Sequence, residues 1–259
     1  MSELLVLPDI HGRVFWKRPC EDIDHFKRVV FLGDYADPYI FEEITPADAL
    51  DNLKEIIELK EAYPDKVILL LGNHDMPYFS DDYLGLHWGH SRHSKRFHDA
   101  FHELFYQYKS LFQLAFVDDD VLFTHAGVDC RWLETVVGCQ SDDIHQICDA
   151  LNHILDKEGG MKDLFKVSWE RGGWDEFASC IWADVSDIMK DVESAKAPDA
   201  VVKPIHRIKQ VFGHTLQAYE DRNGDVHMKD AVEFDNCKML DNAQPYILDT
   251  DDFTIRICE

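Results

Sequence analysis

Five short apolar runs in this chain end on side chains able to hold a metal ion. ELLVLP leads into Asp9-Ile10-His11-Gly12, RVVFL into Gly33-Asp34-Tyr35-Ala36-Asp37, and VILLL into Gly72-Asn73-His74-Asp75. VLF leads into Thr124-His125-Ala126-Gly127, and KQVF into Gly213-His214-Thr215. One such ending is ordinary turn chemistry, because Asp and Asn cap helices and a single His is usually structural. Five of one kind, each beside a glycine, point to groups that converge in space. Carboxylate, amide and imidazole donors suit manganese, iron, zinc or nickel better than they suit thiolate-seeking metals. Asp9 and His11 stand at i and i+2, so both face the same way where strand geometry persists. Asp34 has two oxygens and can bridge two ions, and two ions a few ångströms apart can clamp a phosphoryl group.

The elements that must position these residues are legible from periodicity. Residues 3–8, 28–33 and 66–72 are short, β-branched and Leu-rich, and read as buried strands. TPADALDNLKEIIELKEAYP (45–64) reads as a helix between the second and third, with Thr45 as N-cap and Pro46 at the first helical position. Strand, helix, strand implies parallel pairing, which places the strand ends at one edge of a sheet, where α/β proteins bind ligands. A second helical pattern covers 91–108, and LFQLAFV and VLFTHAG flank a hairpin at Asp118-Asp119-Asp120. Residues 129–200 read as mostly helical, an insertion between strands. From 209 strands resume, with hairpin signals at Asn223-Gly224 and Asp251-Asp252. No Gly/Ser/Pro linker or repeat marks a boundary, and the pattern predicts two stacked sheets covered by helices.

Composition narrows the partners. The 259 residues carry a formal net charge of −24, with 46% hydrophobic and 29% charged residues. Such a field repels phosphate backbones, so no nucleic-acid partner is expected, and an anionic substrate requires local cations at its site. The N-terminal stretch has no basic region and no window reaches a transmembrane length, so a cytoplasmic protein with no membrane partner is expected. Seven scattered cysteines without a CxxC pair read as reduced thiols packed as small hydrophobes.

The ordered set DIHG, GDYAD, GNHD, THAG and GHT resembles the signature of the calcineurin-like metallophosphoesterases. It is most similar to the phosphoprotein phosphatase branch with its bacterial serine/threonine phosphatases and diadenosine tetraphosphate hydrolases. The resemblance implies a four-layer α/β/β/α sandwich over residues 1–259, a single domain with a helical insertion at about 129–200. It implies that Asp9 and His11 bind one divalent ion, that Asp34 bridges two, and that Asn73, His125 and His214 hold the second. Manganese is the first expectation for both ions, with iron, zinc or nickel as the others. His74 resembles the general acid that protonates the leaving oxygen, and Asp37 the carboxylate that orients it. A hydroxide between the ions would attack phosphorus directly, without a covalent phosphoenzyme.

Two departures bear on substrate. The protein phosphatases carry Arg where this chain has Pro38 and again where it has Leu71. Losing bidentate phosphate ligands removes strong charge-assisted hydrogen bonds. Arg13 and Arg171 are the replacements expected, with Arg207 third. The expected activity is serine/threonine-phosphatase-like hydrolysis of phosphomonoesters on a small molecule, a nucleotide or a phosphoprotein. Symmetrical dinucleoside polyphosphate hydrolysis is the alternative within the class, and a non-catalytic scaffold of the same fold the alternative outside it. A metal-dependent nuclease is disfavoured by the charge and by the absence of a GHxH ending. His87, His90, His93, His98 and His102 are expected to be surface histidines, and Trp88, Trp169, Trp174 and Trp182 core or cleft wall.

Overall fold

The computed structural model describes residues 2–80, 92–220, 226–229, 231–240 and 243–258. In chain order the strands and helices are β1 (Glu3–Leu7), α1 (Lys17–Cys20), β2 (Arg28–Phe31), α2 (Pro46–Ala62), β3 (Val67–Leu70), α3 (Met76–Phe79), α4 (His98–Gln107) and β4 (Phe112–Gln113). There follow β5 (Ala115–Asp118), β6 (Val121–Thr124), α5 (Cys130–Trp132), α6 (Ile144–His153), α7 (Gly160–Leu164), α8 (Val185–Ser194) and β7 (Lys209–Phe212). The last are β8 (Ala218–Glu220), β9 (Val226–Met228), β10 (Ala231–Phe234), β11 (Cys237–Leu240), β12 (Tyr246–Asp249) and β13 (Thr254–Ile257). The chain is mixed α/β and forms two compact units, residues 1–113 with 243–259, and residues 114–242. No helix among the described residues is long and apolar enough to cross a membrane.

The first unit is built on a six-stranded sheet in the order β13-β12-β1-β2-β3-β4. β1, β2, β3 and β4 run parallel, and β12 and β13 add an antiparallel edge. Leu4 to Leu7, Val29 to Phe31 and Leu69 to Leu70 are fully buried, which is why these strands read as continuous apolar runs without alternation. α2 starts as its sequence predicts. Thr45 accepts the Asp48 N–H while the Asp48 carboxylate takes the Thr45 N–H, a reciprocal capping box with Pro46 at the first position. Ala49, Leu53, Ile56 and Ile57 form its buried stripe.

The second unit holds the sheet β10-β11-β7-β6-β5 and a separate β8-β9 pair. β6 and β7 are parallel neighbours, and β5 and β6 form the hairpin expected at the acidic triplet, with Asp119 in the left-handed region. The run LFQLAFV, read as one strand, is two. Phe112 and Gln113 pair with β3 in the first unit, whereas Ala115 to Asp118 pair with β6 in the second. The chain passes between units at Gln113-Leu114 with no linker, so composition does not mark the crossing. β12 and β13 form the hairpin expected around Asp251-Asp252, and Asn223-Gly224 lies outside the described residues.

The ends of β2 and β3 are locked together by one side chain. Asp75, fully buried, accepts the backbone N–H of Asp34 at 2.8 Å, Tyr35 at 2.8 Å, Ala36 at 3.2 Å and Gly72 at 2.9 Å. Asp34 answers by accepting the His74 N–H on Oδ1 at 2.8 Å. Gly33 and Gly72 permit this approach: a Cβ on Gly72 would come under 3.0 Å of Asp34 Oδ1, and one on Gly33 under 3.0 Å of the Gly72 N. Asp75→Ala leaves four buried N–H groups without their acceptor, at about 1–3 kcal/mol for each unpaired group. Urea unfolding is expected to show a loss of at least about 3 kcal/mol, and Gly72→Ala at least about 2 kcal/mol from overpacking. An unchanged midpoint for Asp75→Ala would refute its role as the lock.

Candidate functional site

In the first unit the carboxyl ends of β1, β2 and β3 deliver Asp9 and His11, Asp34 and Asp37, and Asn73 and His74. His11, Asp34 and His74 each offer a ligand atom within 4.8 Å of the others. His11, Asp34, Asp37, Asn73 and His74 are all buried, and Asp9 is half-buried. The turns are sharp. His11, Asp34 and Asp37 have φ of 46°, 57° and 56°, a region costing L-residues about 1–2 kcal/mol each. Non-glycine residues held there mark functional positions more often than chance.

Hydrogen bonds fix the rings. The His11 Nδ1 lies 2.8 Å from the Ala36 carbonyl, which can only accept, so Nδ1 carries the proton and Nε2 a lone pair. That Nε2 lies 3.4 Å from Asp34 Oδ2. Burial holds the His11 pKa well below its ordinary value, against the pull of Asp34, keeping the ring in the neutral, ligating form. His74 Nδ1 lies 2.9 Å from Asp37 Oδ2, leaving Nε2 as its outward nitrogen. The Asp37 carboxylate is itself held, since the Tyr78 hydroxyl donates to Oδ1 at 2.5 Å and accepts the Ser94 N–H at 2.8 Å.

The arginines differ in what they are committed to. Arg13 makes a two-point ion pair with Glu42, Nε to Oε2 at 2.8 Å and Nη2 to Oε1 at 2.7 Å, and its Nη1 donates to the Asp9 carbonyl. Arg92, which sequence reasoning missed, lies in the site. Its Nε and Nη2 donate to the Asp37 carbonyl at 3.1 and 2.9 Å, and Nη2 also lies 3.3 Å from His11 Nε2. Its guanidinium sits 3.7 Å over the Tyr39 ring. Among the described residues it has no carboxylate partner and its Nη1 donates to nothing. No motif at position 92 could have revealed it; an arginine 18 positions past His74 carries no spacing signal.

In the second unit the ends of β6 and β7 bring His125 and His214 together, Nε2 to Nδ1 at 3.1 Å, with the Gly213 N–H donating to the His125 carbonyl at 2.7 Å. Both rings are buried and His214 has φ 71°. Arg171 Nη2 donates to His214 Nε2 at 2.7 Å and to its carbonyl at 3.3 Å, while Nη1 pairs with Asp184 at 3.6 Å. A guanidinium only donates, so His214 Nε2 is a lone pair, as His11 Nε2 is. Arg207 is exposed. The carboxylate, amide and neutral imidazole donors of both units fit divalent ions of the manganese-to-zinc row.

His93, His98 and His102, expected at the surface, are half-buried against Tyr78. His93 Nε2 lies 3.1 Å from His98 Nδ1, His98 stacks on His102, and His102 Nδ1 meets the Tyr78 carbonyl at 2.8 Å. His87, His90 and Trp88 lie outside the described residues. Trp182 is buried as expected, whereas Trp169 and Trp174 are 71% and 84% exposed.

The profile of the calcineurin-like phosphoesterase family matches residues 3–218. No curated protein matches the chain. Among solved structures, the cold-active protein-tyrosine phosphatase of a psychrophilic Shewanella species is similar at 13% identity and a TM-score of 0.55, covering 100% of this chain and 81% of its own. A protein serine/threonine phosphatase from Saccharomyces cerevisiae is similar at 14% identity and a TM-score of 0.51, covering 99% and 79%. At those identities the likeness is one of fold. With the profile spanning all five strand endings, the chain belongs to the calcineurin-like phosphoesterase family and is a hydrolase of phosphoesters.

Proposed function

We propose that the chain is a two-metal phosphatase that hydrolyses phosphomonoesters. Asp9, His11 and Asp34 would hold the first, and Asp34, Asn73, His125 and His214 the second. Manganese is the ion proposed, and the cytoplasm the compartment. Bound there, the ions supply a Lewis acid for the phosphoryl oxygens and a water of lowered pKa as the nucleophile. The observation that carries the reading is the His74–Asp37 pair. A buried carboxylate holding Nδ1 at 2.9 Å fixes the ring and aims Nε2 outward, as a general acid for a leaving oxygen requires. Nothing in a scaffold needs that arrangement.

Arg92 and Arg171 supply the guanidinium donors absent at Pro38 and Leu71. Each already donates to the lone-pair nitrogen of a candidate ligand histidine. A phosphate oxygen accepting there gains charge-assisted bonds worth about 1.5–3 kcal/mol. Arg13, spent on Glu42, orders the loop after β1 and does not contact phosphate.

Hydrolysis of p-nitrophenyl phosphate, a phosphoserine peptide, bis-p-nitrophenyl phosphate and diadenosine tetraphosphate, with added manganese, tests the reading. Turnover of the two monoesters that chelator abolishes is expected, and Asp34→Ala or His214→Ala should lose it. Turnover indifferent to chelator and to both substitutions would sink the two-metal assignment. Preference for diadenosine tetraphosphate would replace the substrate class. His74→Asn should slow the peptide by about 10²–10⁴-fold, and p-nitrophenyl phosphate much less, because p-nitrophenolate leaves with little protonation. Equal effects on both would remove the general-acid role. Arg92→Ala should lower kcat/KM by about 10- to 100-fold, the equivalent of one charge-assisted bond, with Arg92→Lys recovering only part.

A further inference from the structure

The second unit contains another group of metal-binding side chains, apart from the strand ends. Cys130 opens α5, Asp191 lies in α8, and His206 sits in the single turn Pro204–Arg207 that precedes β7. Each offers a ligand atom within 4.8 Å of the other two. Cys130 donates twice to Asp191, from Sγ to Oδ1 at 2.8 Å and from its backbone N–H to Oδ2 at 2.9 Å. His206 Nε2 stands 3.2 Å from Asp191 Oδ2. All three line a cavity of about 540 Å³ together with Ser168, Trp169 and Lys203.

A plain hydrogen-bonded cluster accounts for Cys130 and Asp191, which satisfy each other. It accounts only in part for His206, which pairs with the same carboxylate at 3.2 Å without a well-aligned hydrogen bond. Its side chain is 6% exposed, and Nε2 has no aligned hydrogen-bond partner among the described residues despite the nearby carboxylate. A buried ring nitrogen set beside a carboxylate and a thiol, yet out of line for a hydrogen bond, has a geometry that a shared ion would satisfy. The opposite ring nitrogen is occupied, taking the Lys203 N–H at 3.2 Å. Thiolate, carboxylate and imidazole are together the donor set of zinc, and a three-ligand zinc site leaves its fourth position open.

We propose that Cys130, Asp191 and His206 bind one zinc-class divalent ion, with its fourth position facing the cavity. On binding, the sulfur–metal bond forms as the Cys130 Sγ–H bond breaks, and that proton passes to buffer. The His206 ring binds through Nε2 with its proton moved to Nδ1, giving up the Lys203 contact. One backbone hydrogen bond is a small loss beside a metal–thiolate bond. The ion ties α5, α8 and the turn ahead of β7 into one body. This site is independent of the two-metal phosphatase reading, whose ligands include no sulfur.

That difference supplies the test. The full chain, stripped with chelator, is titrated with cobalt(II) and followed by near-ultraviolet absorption. Nitrogen and oxygen ligands give only weak visible bands, whereas a cysteine ligand gives an intense thiolate-to-cobalt charge-transfer band. One equivalent of that band is expected, erased by zinc, retained in Asp34→Ala and abolished in Cys130→Ser. His206→Ala, which keeps the thiol, should weaken cobalt affinity by at least about 10–100-fold, since even an outer-shell partner costs that much. Zinc should also raise the thermal midpoint of the wild type more than that of His206→Ala. Absence of the band in the wild type overturns the site, as does a band that survives Cys130→Ser or an unchanged affinity in His206→Ala.

Discussion

The structure of the strand-end turns depends on one carboxylate accepting four backbone N–H groups. Asp75 draws Asp34, Tyr35, Ala36 and Gly72 onto itself, and in doing so joins the turn after β2 to the turn after β3. Burial, then the neighbouring Asp34 carboxylate, raise the Asp75 pKa well above its ordinary value, while the N–H donors oppose them. The same residue sets the direction of Asp34, because the Asp34 N–H is among those it holds. Asp34 Oδ1 then takes the His74 N–H, so the acid candidate and the bridging candidate are positioned by one connected network. Glycine at 33 and 72 follows from this closeness, since no side chain fits between the two turns.

A second network extends the first outward. Asp37 fixes His74 through one oxygen and takes the Tyr78 hydroxyl on the other, and Tyr78 in turn takes the Ser94 N–H. Tyr78 is fully buried and packs on Phe101 and His93. The orientation of His74 is therefore anchored in the apolar packing of α4, several bonds from the ring. Positive φ at His11, Asp34 and Asp37 represents strain that these contacts offset. Strain of this kind persists only where the surroundings over-determine the backbone, and here hydrogen bonds from neighbouring turns do so.

Most of this was legible in the sequence at the level of which residues and which strands. The ligand-type residues stand in ordered motifs at the ends of apolar runs, and both signals survive without coordinates because they are local. Thr45 and Pro46 announced the start of α2 for the same reason. What the sequence hid depends on distance along the chain. The run from Leu111 to Val117 is apolar at every position but Gln113, and periodicity could not show that its halves pair in different sheets. The histidines at 93, 98 and 102 read as solvated because nothing local marks Tyr78 as their partner. Arg13 stands beside a motif and was the natural replacement for the missing arginines, yet Glu42, 29 positions away, holds it.

Arg92 shows why those arginines could be absent. Leu71 is fully buried and its N–H donates to the Gln113 carbonyl, so a guanidinium there would place a charge in the interior. Pro38 is buried as well. In the reading proposed here the cation for phosphate comes from outside the strand ends, at Arg92. It is held by the face of Tyr39 and the carbonyl of Asp37, neither of which is a metal-ligand candidate. In a chain of formal charge −24, an arginine whose Nη1 donates to nothing among the described residues is a local cation of the kind an anionic substrate needs against the overall field.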